Sequence, residues 1–117
     1  MEILVAIDRL DEVVHSGRMV PLTDSVRVDA QALRAATERL RRAASETFGA
    51  PPAFAGPTAE VFELLGAVEA LARSAKPVPL TRQVRVDREP LHKLLDRLRA
   101  VAPDAIREQR VGNGDLR

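Results

Sequence analysis

Two ten-residue stretches, VPLTDSVRVD at Val20–Asp29 and VPLTRQVRVD at Val78–Asp87, are identical at eight positions. They differ only where Asp24 and Ser25 stand against Arg82 and Gln83. The offset of 58 residues holds without a gap outside the ribbon: Ser16 matches Ser74, Leu33 matches Leu91, and the RLR of Arg39–Arg41 matches that of Arg97–Arg99. Such self-similarity constrains a fold strongly, because each copy must find the same local structure. Twice 58 nearly exhausts the 117 residues. The chain therefore reads as a tandem duplication in one domain, with repeat one over 1–48, a linker over 49–57, repeat two over 58–110 and a flexible tail over 111–117.

Each half reads helix, ribbon, helix. Ile3, Ile7, Leu10 and Val14 recur at spacings of three and four, the apolar face of an amphipathic helix. Val61, Leu64, Leu65, Val68, Leu71 and Ala72 repeat the pattern, with Pro57 and Thr58 as a start signal. Breaks at Gly17 and Pro77 follow. The short runs Val20-Pro21-Leu22-Thr23 and Val26-Arg27-Val28 then read as a hairpin joined by Asp24 and Ser25, and Val78-Pro79-Leu80-Thr81 and Val84-Arg85-Val86 as its copy, joined by Arg82 and Gln83. Burial constrains those joining residues least. Asp29 and Asp87 stand where helices begin, and each is expected to cap its own helix. Leu33, Thr37, Leu40, Ala44 and Phe48 mark the next buried stripe; Leu91, Leu94, Leu95, Leu98 and Val101 mark its counterpart. Pro103 is expected to end or kink the last helix.

A lone two-stranded hairpin is marginal in water, and its edges invite another strand. Two copies in one chain answer both problems if the ribbons pair about a pseudo-two-fold axis, or stack, while four helices enclose a shared core. The expectation is an α+β, mainly helical fold of two helix–hairpin–helix repeats, a homodimer fused into one chain.

Bulk properties narrow the function. Lys and Arg number 18 against 17 Asp and Glu, so the net charge of +1 supplies no global field for nucleic acid or an anionic membrane. Sixteen of the cations are Arg, a bias that a GC-rich coding genome accounts for without a phosphate-binding role. With no Cys there are no disulfides, thiolate metal sites or cysteine nucleophiles, which suits a reducing, cytoplasmic compartment. The apolar run Ile3–Ile7 is too short for a signal-peptide core or a membrane span. Three Phe and no Trp or Tyr make a poor stacking platform for single-stranded nucleic acid; Phe48, Phe62 and Phe54 are all expected to pack into the domain.

The second copy, from about Val68 to Arg110, resembles a segment of actinobacterial DivIVA-like septation proteins of the SepIVA type, some of them described as ATP synthase b-subunit-like. The resemblance is carried by Val78, Pro79, Thr81, Val84, Val86, Asp87, Arg88, Leu91, Leu94, Leu95, Leu98, Pro103 and Asp104. The first copy fits more loosely, with Ala30 after Asp29 and Ser45 in place of the proline, and no heptads follow Gln109. What the resemblance implies is a non-enzymatic scaffold or adaptor for cell division or envelope growth, binding itself and other proteins.

Two other classes compete. QVRVDREPLHKLLDRLR followed by APDAIREQR has the order of a ribbon-helix-helix DNA binder, with Arg27 and Arg85 as the base readers. A strand that alternates Val with Arg is read in preference as one buried face and one wet face, since the first half shows no second helix after Phe48 and the net charge is near zero. An enzyme is the third class. His15 and His92 have Arg73 and Arg34 as repeat counterparts, lie in no metal-spacing motif, and read as surface helix residues. Asp11, Glu12, Glu60 and Glu63 read as solvated faces. No catalytic, cofactor or metal site is assigned. The expectation is a protein-binding module, with the ribbon edge and any uncovered apolar strip as contact surfaces, Arg27 and Arg85 as interaction residues, self-association open and nucleic acid disfavoured.

Overall fold

The apolar stripes form the helices expected of them. In the computed structural model, residues Glu2 to Asp115 are described, with side chains described through Arg110. Helix α1 (Glu2–His15) buries Ile3, Ile7, Leu10 and Val14, and α2 (Ala30–Phe48) buries Leu33, Thr37, Leu40, Ala44 and Phe48. Helix α3 (Pro57–Arg73) starts with proline in its first turn, where no intrahelical donor is lost. It buries Val61, Leu65 and Val68, while Leu64, Leu71 and Ala72 pack partly buried against the same core. Helix α4 (Arg88–Asp115) buries Leu91, Leu95, Leu98 and Val101.

Helix α4 runs through Pro103 without ending, and it is helical as far as Asp115, over most of the stretch read as a tail. Proline removes one helical hydrogen bond and crowds the preceding turn, at a cost of about 3 kcal/mol. Val101, Ala102 and Ala105 are all buried around it, and that packing holds the helix together across the break. Helix α2 does stop, at Gly49, whose φ of 75° suits glycine and whose N–H donates to the Ser45 carbonyl at 2.8 Å.

The ribbons are built differently from the expected hairpins. Strands β2 (Ser25–Asp29) and β4 (Gln83–Asp87) contain VRV, but their outer partners are β1 (Arg18–Met19) and β3 (Lys76–Pro77). The VPLT segments are turns, not strands. Pro21 has no donor to offer a ladder, and Leu22 adopts φ 64°, outside the range of any strand. The Thr23 hydroxyl donates to the Val20 carbonyl at 2.8 Å and accepts from the Ser25 N–H at 3.2 Å, locking the turn. Leu80, at φ 64°, and Thr81 repeat this arrangement, with corresponding bonds of 2.8 and 3.1 Å.

The four strands form one antiparallel sheet in the order β1-β2-β4-β3. The two VRV strands pair directly, with Val26 opposite Val86, Arg27 opposite Arg85 and Val28 opposite Val84. Val26, Val28 and Val86 are buried, so this face of the sheet joins the helical core. Ser25 and Gln83 are strand residues, not turn residues, and the letters that differ between the copies are constrained after all.

Those letters decide how the helices are capped. Asp29 caps α2 as expected, its carboxylate accepting from the Ala32 N–H at 2.9 Å. Asp87 cannot repeat that bond, because the residue three places on is Pro90, which has no N–H; it accepts instead from the Ser25 hydroxyl across the sheet at 3.1 Å. The α4 donor goes to Asp24 of the other repeat, whose carboxylate accepts from the Glu89 N–H at 2.9 Å and whose carbonyl accepts from the Arg88 N–H at 3.0 Å. Arg82, the counterpart of Asp24, offers α2 only its carbonyl, to the Ala30 N–H at 2.9 Å.

The repeated RLR also acquires a role. The first arginine of each motif pairs within its own half: Arg39 with Glu2 at 3.2 Å, and Arg97 with Glu60 at 2.8 Å. The second reaches the other half: Arg41 forks onto Glu69, with Nε donating at 3.0 Å, and Arg99 donates to Asp8 and Asp11 at 2.9 and 3.3 Å. Glu60 and Asp11 are thus interhelix ion-pair partners rather than plain solvated surface.

Two stability outcomes follow. Asp24→Ala should cost about 1 kcal/mol in urea unfolding, the usual worth of a helix cap, while Arg82→Ala costs much less. At Gly17 a Cβ would stand 2.7 Å from Val28 Cγ1 and 2.9 Å from the Arg27 carbonyl oxygen. Gly17→Ala should therefore destabilise by about 1–3 kcal/mol, the range for overpacking, although Ala75 occupies the matching position of the second repeat.

Candidate interaction surface

Alternation along β2 and β4 sends the valines to the core and Arg27 and Arg85 to the opposite face. The register then adds two cations that sequence reasoning did not connect with them. Arg18 lies opposite Arg27, and Lys76 lies opposite Arg85. Directly paired residues share a face, so Arg18, Arg27, Arg85 and Lys76 form one row across all four strands, about 14 Å long at the usual strand spacing. The missing signal was the position of β1 and β3, because placing the outer strands at VPLT hides both cations.

None of the four has a carboxylate within 4.0 Å among the described residues. Arg18, Arg85 and Lys76 are exposed. Arg27 is half-buried, and its Nε is shielded from water with no hydrogen-bond partner. A cleft of about 500 Å³ opens beside Arg18 and Arg27, walled by Val13, Gly17 and Val28. Glu12 also lines it, held by Arg9 at 3.4 Å. Two residues along the strands the face turns mixed, with Ser25 opposite Asp87 on one side and Asp29 opposite Gln83 on the other.

The exposed apolar groups lie elsewhere. Leu22 and Leu80 are fully exposed at their turn tips, Met19 and Val5 are partly so, and Phe54 in the linker is exposed rather than packed as expected. Phe48 and Phe62 are core residues, meeting edge to face at 6.3 Å. The outer edges of the sheet, expected as a contact surface, are strands of only two residues, and one of them contains Pro77. Short edges and proline both discourage further strand pairing.

His15 and His92, unrelated in the repeat, come together between α1 and α4. Their ring centroids are 6.3 Å apart, and Asp11 Oδ1 lies 3.2 Å from His15 Nδ1 and 4.0 Å from His92 Nδ1. His92 Nε2 also lies 3.2 Å from Asp96. The described residues nonetheless hold no group of three or more His, Asp or Glu arranged to bind a metal. Glu63 is exposed on α3. No helix among the described residues is long and apolar enough to cross a membrane. Comparison with known proteins finds no matching family model, no matching curated protein and no matching solved structure.

The seam between the halves carries the charge-tuned groups. The hydrogen bond from Arg41 holds the Glu69 carboxyl below its ordinary range, and the Glu69 carboxylate in turn raises Arg41. Hydrogen bonding to Asp8, with Asp11 adding to it, raises Arg99. A carboxyl lowered by folding stabilises the protein above its unfolded value, and that contribution disappears as pH falls through the folded one. Glu69→Gln should thus lower stability at neutral pH by about 1 kcal/mol or less, with the difference from wild type closing in acid, as read from urea midpoints across a pH series.

Proposed function

We propose that this chain is a non-enzymatic protein-binding module, a scaffold or adaptor serving cell division or envelope growth as the resemblance of its second repeat to the septation proteins implies. The observation that carries the reading is the pair Leu22 and Leu80. Each turn has proline followed by a residue at positive φ, with the Thr23 or Thr81 N–H donating back to Val20 or Val78 at 3.2 Å, in the manner of a type II turn. That third position ordinarily takes glycine, and another L-residue there costs roughly 1–2 kcal/mol. Both leucines are fully exposed, so neither offsets the strain by burial within the chain. Strain kept twice at an exposed apolar side chain supports a role in contact with another molecule. In this reading the two tips are equivalent ends of a fused pseudo-dimer, and the chain scatters light as a monomer.

DNA recognition through the VRV strands is a second reading, favoured by Arg27 and Arg85 lying side by side on the outer face. Two features weigh against it. A major groove about 12 Å wide admits a two-stranded ribbon, whereas β1 and β3 widen this sheet to four strands. The unbroken α4 also lacks the turn that a ribbon-helix-helix second half requires.

Affinity capture from the native cell, with wild type and the double variant Leu22→Asn, Leu80→Asn, tests the main reading. Asn tolerates positive φ, so the variant should unfold at the same or slightly higher urea concentration, a gain of up to about 1 kcal/mol. It should lose the partners that wild type recovers. A variant that retains them removes the tips from the reading, and a wild type that recovers nothing removes the protein-binding function.

A further inference from the structure

We infer that the row Arg18–Arg27–Arg85–Lys76 is a docking site for an acidic helix of a partner protein, laid across the strands. This rests on the protein-binding reading and names the surface and the partner's chemistry. Arg18 with Arg27, Arg27 with Arg85, and Arg85 with Lys76 are three consecutive like-charged cross-strand pairs, each directly opposed. Such pairs destabilise a sheet. No carboxylate of the described residues lies within 4.0 Å of any of the four, and the shielded Nε of Arg27 is left without an acceptor. A row of carboxylates from outside supplies the counter-charge that the row lacks.

Spacing selects the form of the partner. Neighbouring strands, and therefore neighbouring cations, are about 4.8 Å apart. One carboxylate per helical turn recurs about every 5.4 Å, a close match over four positions, whereas same-face side chains of an extended segment recur at about 6.8 Å. The flanking residues select against nucleic acid. Asp29 and Asp87 bracket the row on the same face, so a phosphate backbone following the strands runs onto like charge. No aromatic side chain lies among the residues of this face to stack a base.

The test is fluorescence anisotropy at low salt with an alanine-based helical peptide carrying one glutamate per turn on a single face. Its comparators are the same composition with glutamates scattered around the helix, and a mixed-sequence DNA duplex. Wild type should prefer the one-faced peptide, and Arg27→Gln, Arg85→Gln should weaken it about tenfold. Arg34→Gln, Arg42→Gln removes the same charge from exposed positions on α2 and should leave binding unchanged. The strand variant should also melt at a higher temperature than wild type, because the like-charged pairs are gone. Equal binding of both peptides, no binding, tighter binding of duplex lost in the strand variant, or a strand variant that melts lower would each overturn the inference. Failure here with successful partner capture places docking at the leucine tips and leaves the protein-binding reading standing.

Discussion

The pairing of β2 with β4 is the interaction on which the rest of the architecture depends. Within one half, the ribbon is a five-residue strand beside a two-residue strand, too little to stand alone in water. Joining the two VRV strands gives five facing residue pairs and a four-stranded sheet with a valine face for the helices to cover. Because β2 runs straight into α2 and β4 into α4, the same register sets where both helices begin. It also brings each VPLT turn to the start of the other half's second helix, where Asp24 and Arg82 receive the first backbone donors.

The helices repeat this mixture of local and exchanged contacts. Each RLR uses one arginine to tie its own helical pair and the other to reach an acid of the opposite half. The buried residues of all four helices and both long strands belong to one core. Neither half therefore has a complete set of partners by itself. Within the repeated ribbon, the two positions that differ between the copies lie where the halves exchange contacts. Ser25 bonds Asp87 across the sheet and Asp24 caps the helix that follows Asp87, while His15 and His92 occupy positions held in the other half by arginines.

Against this economical interior, the outer features are costly. Two leucines occupy positive-φ positions in full exposure, and four cations face one another across adjacent strands with no ion-pair partner within 4.0 Å among the described residues. Neither arrangement stabilises the isolated chain. Sequences are otherwise locally consistent with their folds, and departures from that consistency concentrate at sites where another molecule supplies the compensation.

The sequence alone determined the elements whose signals are local. Four apolar stripes at helical spacing, the caps offered by Pro57 and Asp29, and a 58-residue period were enough to establish a mainly helical α+β fold. Alternation was likewise enough to send the VRV valines inward and the arginines outward. Tertiary structure decided everything that depends on which strand lies beside which. A two-residue strand such as Arg18–Met19 has no period of its own, so its place emerged only from pairing, and with it the row of four cations. Asp87 does not cap its helix as Asp29 does because Pro90, three residues on, has no N–H to donate, and Asp24 from across the sheet took the Glu89 donor instead. Pro103 stayed within its helix because buried neighbours on both sides outweighed a local penalty. In each case a contact distant in sequence supplied what the neighbouring residues did not.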